Sequence, residues 1–375
     1  MRIDNPPKEK LREYNNNLLN YIKANSSFVQ AFYIDLGVKI VRLICYSPDF
    51  IPHIKKQLTY TIKTSAPKYD VTVILWKIKN IKQMYKYIAP EFGPAKNLKL
   101  RIEILTYNKN YFDDLWIFDK KYSYNKPLLN IDINQGIINS YDKENETYYY
   151  GVENLEPEEF IKQGHILVQI LNNILKTQNT NLVHGACVGL DNKGILLCAR
   201  GQRGKSTLAV LAMMEGFEYV SDDYLTLEKE GDNLYAHPIY SIITLSPRMY
   251  NELYDKLDGT KFVSNNARKD KYVINISNFH DKFKKKYPIK ICMFPEIVSD
   301  LEPSIRECTN TEKGRAITHL VHSTIFQMND IHDIKTIKKL ISMVKCFKFY
   351  KINLCNDIYK NTKCLKEFIK EYENG

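Results

Sequence analysis

The chain has 375 residues, of which 44% are hydrophobic, and a formal net charge of +11. A chain of this length suits two domains at about 150 residues each, and its hydrophobic share predicts a globular protein with a sizeable core. No apolar run approaches the ~18 residues of a membrane span, so we expect no membrane segment and no membrane partner.

The N-terminal sequence and the cysteines indicate a cytoplasmic protein. The first residues, MRIDNPPKEKLREYNNN, lack the apolar segment of a secretory signal. The eight cysteines include no C-x-x-C pair, which favours buried free thiols over a disulfide or zinc framework. The positive charge suits an anionic partner, but the lysines are spread along the chain and no RNA-binding motif is present. We therefore predict no nucleic-acid partner.

Helical and strand-like patterns follow one another over the first 154 residues. Apolar residues at helical spacing predict helices, and runs rich in β-branched and aromatic residues predict strands. The predicted helices are Lys8–Lys23, Ile51–Thr64 and Ile81–Ile88. The predicted strands are Phe28–Cys45, broken near Gly37, then Val71–Ile78 and Leu98–Tyr107, followed by short strands within Trp116–Tyr150. We expect residues 1–154 to form a smaller α+β domain without a catalytic motif, which could hold a peptide or a partner.

A second domain is predicted from residue 155 to residue 375. Its first element is a helix over Leu155–Thr177, with Pro157 and Glu158 as first-turn residues. Strands and helices then alternate over His184–Leu190, Gly194–Ala199, Lys205–Glu215, Tyr219–Ser221, Leu225–Glu228 and Ile239–Leu245. The C-terminal part predicts a helix at Ile334–Lys345, a strand at Phe347–Leu354 and a helix at Ile358–Tyr372. This alternation is typical of a layered α/β fold.

The stretch from Ala199 to Thr207 has the pattern of a phosphate-binding loop. Such a loop joins a buried strand to a helix and reads G-x-x-x-x-G-K-[ST], because its N–H groups and lysine compensate phosphate charge and its hydroxyl holds Mg²⁺. Here the eight residues read A-R-G-Q-R-G-K-S. Ala199 replaces the first glycine, and the alternative is a glycine turn between two core elements. The residues predicted to bind nucleotide phosphates are Arg200, Gly201, Gln202, Arg203, Gly204, Lys205, Ser206 and Thr207.

Two adjacent carboxylates follow the loop. Asp222 and Asp223 come after a short apolar strand, and ligands of open α/β sheets bind beside such strand ends. Successive strand residues point to opposite sides, so one aspartate can reach Mg²⁺ while the other faces an incoming nucleophile. A solvated turn is the alternative. His184, which we place just before the preceding strand, fits a structural histidine as well as a catalytic one.

Together these segments resemble the kinase domain of the HPr kinase/phosphorylase family. The resemblance lies in V-H-G-A-C-V, G-I-L-L, G-K-S-T and M-E-G-F-E-Y-V-S-D-D, covers residues 181–225 and is absent from residues 1–150. It implies an α/β kinase domain with a compact P-loop, related in fold to phosphoenolpyruvate carboxykinase. The kinase domain would then follow the smaller α+β domain.

The resemblance also implies roles for individual residues. His184 and Lys205 match active-site residues of the family, and Asp223 matches the general base that acts on a serine hydroxyl. Ser206 matches the hydroxyl that binds magnesium, and Asp222 beside it is a further metal ligand in our interpretation.

The chain departs from the bifunctional regulators of this family in one region. Their second signature, a glycine-bearing acidic–arginine stretch, has no match here, where residues 237–248 read H-P-I-Y-S-I-I-T-L-S-P-R. Reverse phosphorylase activity and HPr itself as the substrate are therefore not supported. The chain is more similar to divergent members associated with ribosomal-peptide modification, which phosphorylate a serine of a precursor peptide. The resemblance leaves a homo-oligomer open.

The expected function is ATP-dependent phosphorylation of a serine or threonine hydroxyl of a peptide or protein, with ATP and Mg²⁺ bound at residues 199–207. Two alternatives stay open. One is another P-loop phosphotransferase or NTPase that acts on a small molecule, and the other is a non-catalytic module that binds nucleotide or peptide. Further cations are expected from later loops, and the candidates are Arg248, Arg268, Lys271 and Arg315.

Overall fold

The chain divides into two compact units. The computed structural model describes residues 8–88, 129–132, 136–154, 165–199, 203–257, 261–264, 271–276, 279–328, 334–345 and 347–372. The N-terminal unit comprises Met1–Asp35, Lys39–Lys55 and Ile62–Ile166, and the C-terminal unit comprises Leu36–Val38, Lys56–Thr61 and Leu167–Gly375.

A mixed sheet with helices forms the N-terminal unit. Its described strands are β1 (Gln30–Asp35), β2 (Ile40–Cys45), β3 (Ile62–Lys63), β4 (Val71–Lys77), β5 (Leu129–Asp132), β6 (Ile137–Asp142) and β7 (Thr147–Val152), in the order β3-β1-β2-β4-β7-β6-β5. The described helices are α1 (Lys8–Asn25), α2 (Phe50–Gln57), which begins in this unit, and α3 (Ile81–Ile88). Strands β2, β4 and β7 run parallel, and the other pairs are antiparallel. Leu18 of α1 and Met84 of α3 share a buried cluster with Trp76 of β4.

The sequence located most elements of this unit. The break near Gly37 is confirmed, and Gly37 has φ 80°, a backbone conformation that favours glycine. The predicted helix Ile51–Thr64 is wrong beyond Gln57, because the chain turns there and Ile62 pairs with β1. The predicted strand Leu98–Tyr107 and residues 116–128 lie outside the described residues.

Two sheets and six described helices form the C-terminal unit. The strands are β8 (Thr180–His184), β9 (Ala186–Leu190), β10 (Lys193–Leu197), β11 (Glu218–Ser221), β12 (Tyr224–Glu230), β13 (Asn233–Pro238), β14 (Ile242–Leu245), β15 (Lys261–Ser264), β16 (Lys271–Asn275), β17 (Tyr287–Ile297), β18 (Ser304–Glu307) and β19 (Lys348–Leu354). The helices are α4 (Val168–Leu175), α5 (Lys205–Met214), α6 (Pro247–Leu257), α7 (Asn310–Met328), α8 (Ile334–Val344) and α9 (Ile358–Glu371).

The main sheet of this unit is covered by helices on both faces. Within the described residues its strand order is β11-β9-β10-β17-β13-β12-β8, with β19 on β17 and β18 on β19, while β14, β16 and β15 form a separate small sheet. Alternate residues of β10 enter two different cores. Ile195 and Leu197 pack in one core with α5 and α9, whereas Leu196 packs in the other with α7 and α8. This is a mixed α/β architecture, in which β10, β17 and β19 are parallel to one another.

Two predicted boundaries in this unit need correction. The expected single strand His184–Leu190 is two strands separated at Gly185, because β8 pairs with β12 whereas β9 pairs with β10 and β11. The helix predicted over Leu155–Thr177 is described only from residue 165 onward, and there it begins at Val168, after Leu167 with φ 61°. The remaining strands and helices predicted for this unit are confirmed to within a few residues.

Two expectations from composition concern membrane-spanning segments and the state of the cysteines. No helix there combines the length and the apolar character needed to cross a bilayer. The described cysteines are free thiols, and burial keeps the pKa of the Cys45 thiol at about 12.

Candidate functional site

A left-handed glycine opens helix α5. Gly204 has φ 84° and precedes Lys205, the first residue of the helix. The backbone conformation favours glycine, and a Cβ atom at this position would lie 2.6 Å from Leu354 Cδ1, so the leucine side chain would have to shift to admit it. The first N–H groups of a helix have no partner within it and carry partial positive charge, which makes this end of α5 suited to an anion. The predicted phosphate contacts Arg200, Gly201 and Gln202 lie outside the described residues.

Strand pairing brings the loop and the two aspartates to one edge of the main sheet. Cys187 of β9 is the pairing partner of both Leu196 in β10 and Ser221 in β11. Strands β10 and β11 therefore end beside the same part of β9, one on each side of it. The chain after β10 leads to α5, and the chain after β11 is Asp222 and Asp223, so these segments meet at the same sheet edge.

At this edge Lys205 lies between the two carboxylates. Its Nζ is 3.2 Å from Asp222 Oδ1 and 3.1 Å from Asp223 Oδ1. The hydroxyl of Ser206 donates to Asp222 Oδ1 at 3.0 Å. Lys205 and Asp222 are buried, so these ion pairs are shielded from solvent. The structure thus brings together four residues that the sequence predicted for one site.

A strained turn presents Asp223. Its φ is 61°, and the N–H of Tyr224 donates to the carbonyl of Asp222 at 2.8 Å, which closes a γ-turn around it. The carbonyl of Asp223 accepts from the N–H of Gly185 at 3.0 Å. Left-handed backbone at a residue other than glycine persists where surrounding contacts hold it, and such residues concentrate at functional sites.

His184 approaches Asp223 from the neighbouring strand. It lies just before β9, as the sequence suggested, but it is also the last residue of β8, and its Cα pairs with that of Tyr224 in β12. His184 Nε2 lies 3.4 Å from Asp223 Oδ1, and the His184 N–H donates to Thr324 Oγ1 at 2.9 Å. His184 Nδ1 is buried and has no hydrogen-bond partner among the described residues. A proton on Nε2 is therefore the arrangement that lets the neutral ring donate to the carboxylate.

Burial and neighbouring charges shift the pKa values of Lys205, His184 and Tyr219 at this site. Burial alone would lower the pKa of Lys205, but the adjacent Asp222 and Asp223 carboxylates raise it above its ordinary value, so the ammonium stays charged. Burial lowers the pKa of His184, and Lys205 adds to this effect, so the imidazole is neutral at pH 7. Burial and then the two carboxylates raise the pKa of Tyr219 well above its ordinary value.

The oxygen atoms of Asp222 and Ser206 fit a magnesium ion whose other ligands are substrate phosphates and water. Asp222 Oδ2 is buried without a hydrogen-bond partner among the described residues, and the Ser206 hydroxyl lies beside the other oxygen of the same carboxylate. Mg²⁺ is usually held by one or two carboxylates together with substrate phosphates, not by a complete protein cage. The described residues contain no group of three or more His, Cys, Asp or Glu side chains that could hold a metal.

The other predicted site residues do not all lie at the cluster of Lys205, Asp222 and Asp223. Arg203 is exposed and 4.0 Å from Glu296, and Thr207 is half-buried in the first turn of α5. Arg248 in α6 and Arg315 in α7 are exposed, and neither is among the described side chains that contact the cluster. Arg268 and the Lys271 side chain lie outside the described residues.

Sequence reasoning missed Thr244. Its Oγ1 donates to Asp223 Oδ2 at 2.6 Å from strand β14 of the small sheet. The available signal was a single polar side chain in the apolar run I-I-T-L, which is weak because buried threonines are common in strands.

Comparison with known proteins finds a distant structural similarity and no sequence match. No family model matches the sequence, and no curated protein matches it. Among solved structures, the Hpr(Ser) kinase/phosphatase from Coxiella burnetii is similar with a TM-score of 0.29 and 12% sequence identity, over 50% of this chain and 95% of that one. A likeness at this level does not by itself assign a fold family or a function.

Proposed function

We propose that the chain is an ATP-dependent kinase that phosphorylates a serine or threonine hydroxyl of a peptide or protein. The observation that carries the proposal is the position of the Lys205 ammonium, between two adjacent aspartates and at the first residue of a helix opened by a left-handed glycine. This arrangement supplies a cation, a helix N-terminus for phosphates and a carboxylate next to them. It supports a compact P-loop kinase domain of the HPr-kinase type, related to phosphoenolpyruvate carboxykinase.

Each of these groups has a role in phosphoryl transfer. The helix N-terminus and Lys205 bind the β- and γ-phosphates, for which the lysine must turn away from the aspartates. Asp223 accepts the proton of the acceptor hydroxyl. The new bond forms between that oxygen and the γ-phosphorus, the bond from phosphorus to the β–γ bridging oxygen breaks, and ADP leaves. Positioning and electrostatic stabilisation dominate such reactions, and a general base adds about 10²–10⁴-fold.

Asp222 and Ser206 would hold Mg²⁺ together with phosphate oxygens. When bound, the ion supplies neutralisation of the phosphate charge. Asp222 suits this role better than Asp223, because its Oδ2 is free of hydrogen bonds to described residues while both Asp223 oxygens face donors.

The test is transfer of phosphate from γ-labelled ATP to serine-containing peptides, read out by mass spectrometry. Small peptides encoded next to this chain are the first acceptors to try, with small metabolites and water as competing acceptors. We expect a gain of one phosphate on a peptide serine. Asp223→Asn should abolish the transfer while ATP binding stays near normal, and the exposed Asp232→Asn is the matched control that should transfer normally.

Other outcomes assign the site differently. Labelled phosphate on a metabolite or on water alone would indicate a small-molecule phosphotransferase or NTPase. ATP binding without turnover on any acceptor would indicate a binding module. Full transfer by Asp223→Asn would reject Asp223 as the base.

The N-terminal unit offers a place for the peptide. A cavity of about 320 Å³ lies where the parallel strands β2, β4 and β7 end, and its lining includes Tyr46, Ser47, Lys79 and Glu153. The carboxyl ends of parallel strands are a frequent location of ligand sites. Lys79→Ala should raise KM for the peptide without changing kcat, because a contact made equally in the ground state and the transition state acts on KM. The exposed Lys68→Ala should change neither, and an unchanged KM in Lys79→Ala would exclude peptide binding through Lys79.

A further inference from the structure

The carboxylate of Asp223 is held from two sides. Its Oδ1 faces Lys205 Nζ at 3.1 Å and His184 Nε2 at 3.4 Å, whereas its Oδ2 accepts from the Thr244 hydroxyl at 2.6 Å. A carboxylate is an acceptor only, so in this contact the threonine is the donor. The two oxygens of Asp223 therefore have different partners.

Thr244 is itself held rigidly. It lies in β14, where its Cα pairs with that of Val273 in β16. Its neighbours Ile243 and Leu245 are buried in the same core as helix α5. Because side chains alternate along a strand, anchoring those two residues in the core leaves Thr244 on the opposite face, where Asp223 lies. Threonine is also stiff at χ1, so the hydroxyl keeps its direction.

We infer that Thr244 is a positioning residue for the general base of the phosphoryl transfer. It fixes Oδ2 of Asp223 and so directs Oδ1 toward the acceptor hydroxyl once Lys205 has turned to the phosphates. The inference rests on the proposed function, and it adds a residue from the small sheet to a site otherwise built on the main sheet. Supporting groups that hold a reacting side chain in one orientation are a general requirement for efficient chemistry.

The strained backbone of Asp223 gives this contact its importance. A φ of 61° is an uncommon backbone conformation for a residue other than glycine, so Asp223 depends on surrounding contacts to keep it. Without a donor at Oδ2, one of the contacts that orient the carboxylate is lost, and the fraction of molecules with Oδ1 in the reactive direction falls. The loss should appear in the rate of the chemical step and not in the binding of ATP.

The test compares Thr244→Val, Thr244→Ser and Thr226→Val with the wild type. Valine keeps the shape and removes the donor, and serine restores it. Thr226 is a matched control because it is a fully buried threonine in β12 whose hydroxyl has no partner among the described residues. ADP release from MgATP is measured with water or the acceptor peptide as phosphoryl acceptor, alongside ATP affinity and the melting temperature of each variant.

We expect Thr244→Val to lower kcat by about 10-fold or more, a factor that corresponds to ~1.4 kcal/mol in the barrier. Its ATP affinity should stay within about 2-fold of the wild type, because a group that acts only on the chemical step changes kcat and not binding. Thr244→Ser should recover most of the rate, and Thr226→Val should turn over normally.

Three results would overturn the inference. Wild-type rates in a folded Thr244→Val would show that the hydroxyl has no role in orienting Asp223. A loss in Thr244→Val that serine does not restore, or one shared by Thr226→Val, would show a packing effect instead. A wild-type protein that neither binds nor turns over ATP would remove the proposed function as well, whereas the first two results leave it standing.

Discussion

Lys205 Nζ lies 3.1 Å from Asp223 Oδ1, although 18 residues separate the two in the chain. The same ammonium group also contacts Asp222, so one buried cation balances two adjacent carboxylates. The charge balance of this region therefore depends on the Lys205 side chain.

Removing this cation should destabilise the fold. Lys205→Met keeps the length of the side chain but leaves the buried Asp222 and the partly buried Asp223 without their cation, and breaking a buried ion pair costs roughly 3–5 kcal/mol. The free energy of unfolding from urea titration measures the loss. Lys338→Met, at an exposed helix position, should change stability by no more than about 0.5 kcal/mol. Equal effects of the two substitutions would contradict the buried ion pairs.

Mg²⁺ should raise the melting temperature of Lys205→Met more than that of the wild type. In the wild type the Lys205 ammonium already compensates the charge of Asp222 and Asp223, so Mg²⁺ alone should hardly change the melting temperature. In Lys205→Met the uncompensated carboxylates should bind the ion, and a ligand that binds only the folded state stabilises it by mass action. Melting curves at increasing MgCl₂ provide the measurement. A wild type that is stabilised as much as the variant would mean that the Lys205 charge does not weaken the binding of the ion.

Gly204 should tolerate no side chain. Gly204→Ala forces a left-handed backbone on alanine, at roughly 1–2 kcal/mol, and places its Cβ against Leu354. Gly216 is a matched control, since its φ of 98° is also positive but no atom lies within 4 Å of an added Cβ. We expect Gly216→Ala to show the backbone cost alone and Gly204→Ala a larger one.

ATP binding separates the two glycine variants further. Gly204→Ala should weaken the affinity for ATP because it displaces the first turn of α5, whereas Gly216→Ala, at the opposite end of that helix, should leave it unchanged. Unfolding free energies and nucleotide titrations check both. Equal destabilisation with normal ATP binding in both variants would show that Gly204 is not required for the loop geometry.

The parts of the site that the sequence predicted are local in the chain. Gly204, Lys205 and Ser206 are adjacent, and Asp222 and Asp223 follow one helix and one short strand later. Turn glycines, apolar runs and a polar residue at a strand end are short-range patterns, so sequence reasoning can locate them. These residues also lie together in the structure, as the motif requires.

The features that the sequence did not predict depend on strand pairing between distant parts of the chain. The division of the predicted strand His184–Leu190 into β8 and β9 at Gly185 comes from their different partners, which a single sequence does not show. Thr244 was missed for the same reason, since its contact with Asp223 joins two sheets. The helix predicted over Ile51–Thr64 failed where the partner strand β1 overrides local propensity.

The stability of the C-terminal unit should fall as the pH drops below about 6.5, the ordinary pKa of histidine. Burial lowers the pKa of His184 in the folded state, so between that lowered pKa and 6.5 the unfolded chain binds more protons than the folded one. Stability then increases with pH across this window and is fully present above it. His184→Gln removes this titration while keeping an N–H donor. We expect the wild type to lose stability relative to this variant when urea unfolding is followed from pH 8 to pH 5. Curves that stay parallel over this range would show that His184 is not buried in its neutral form.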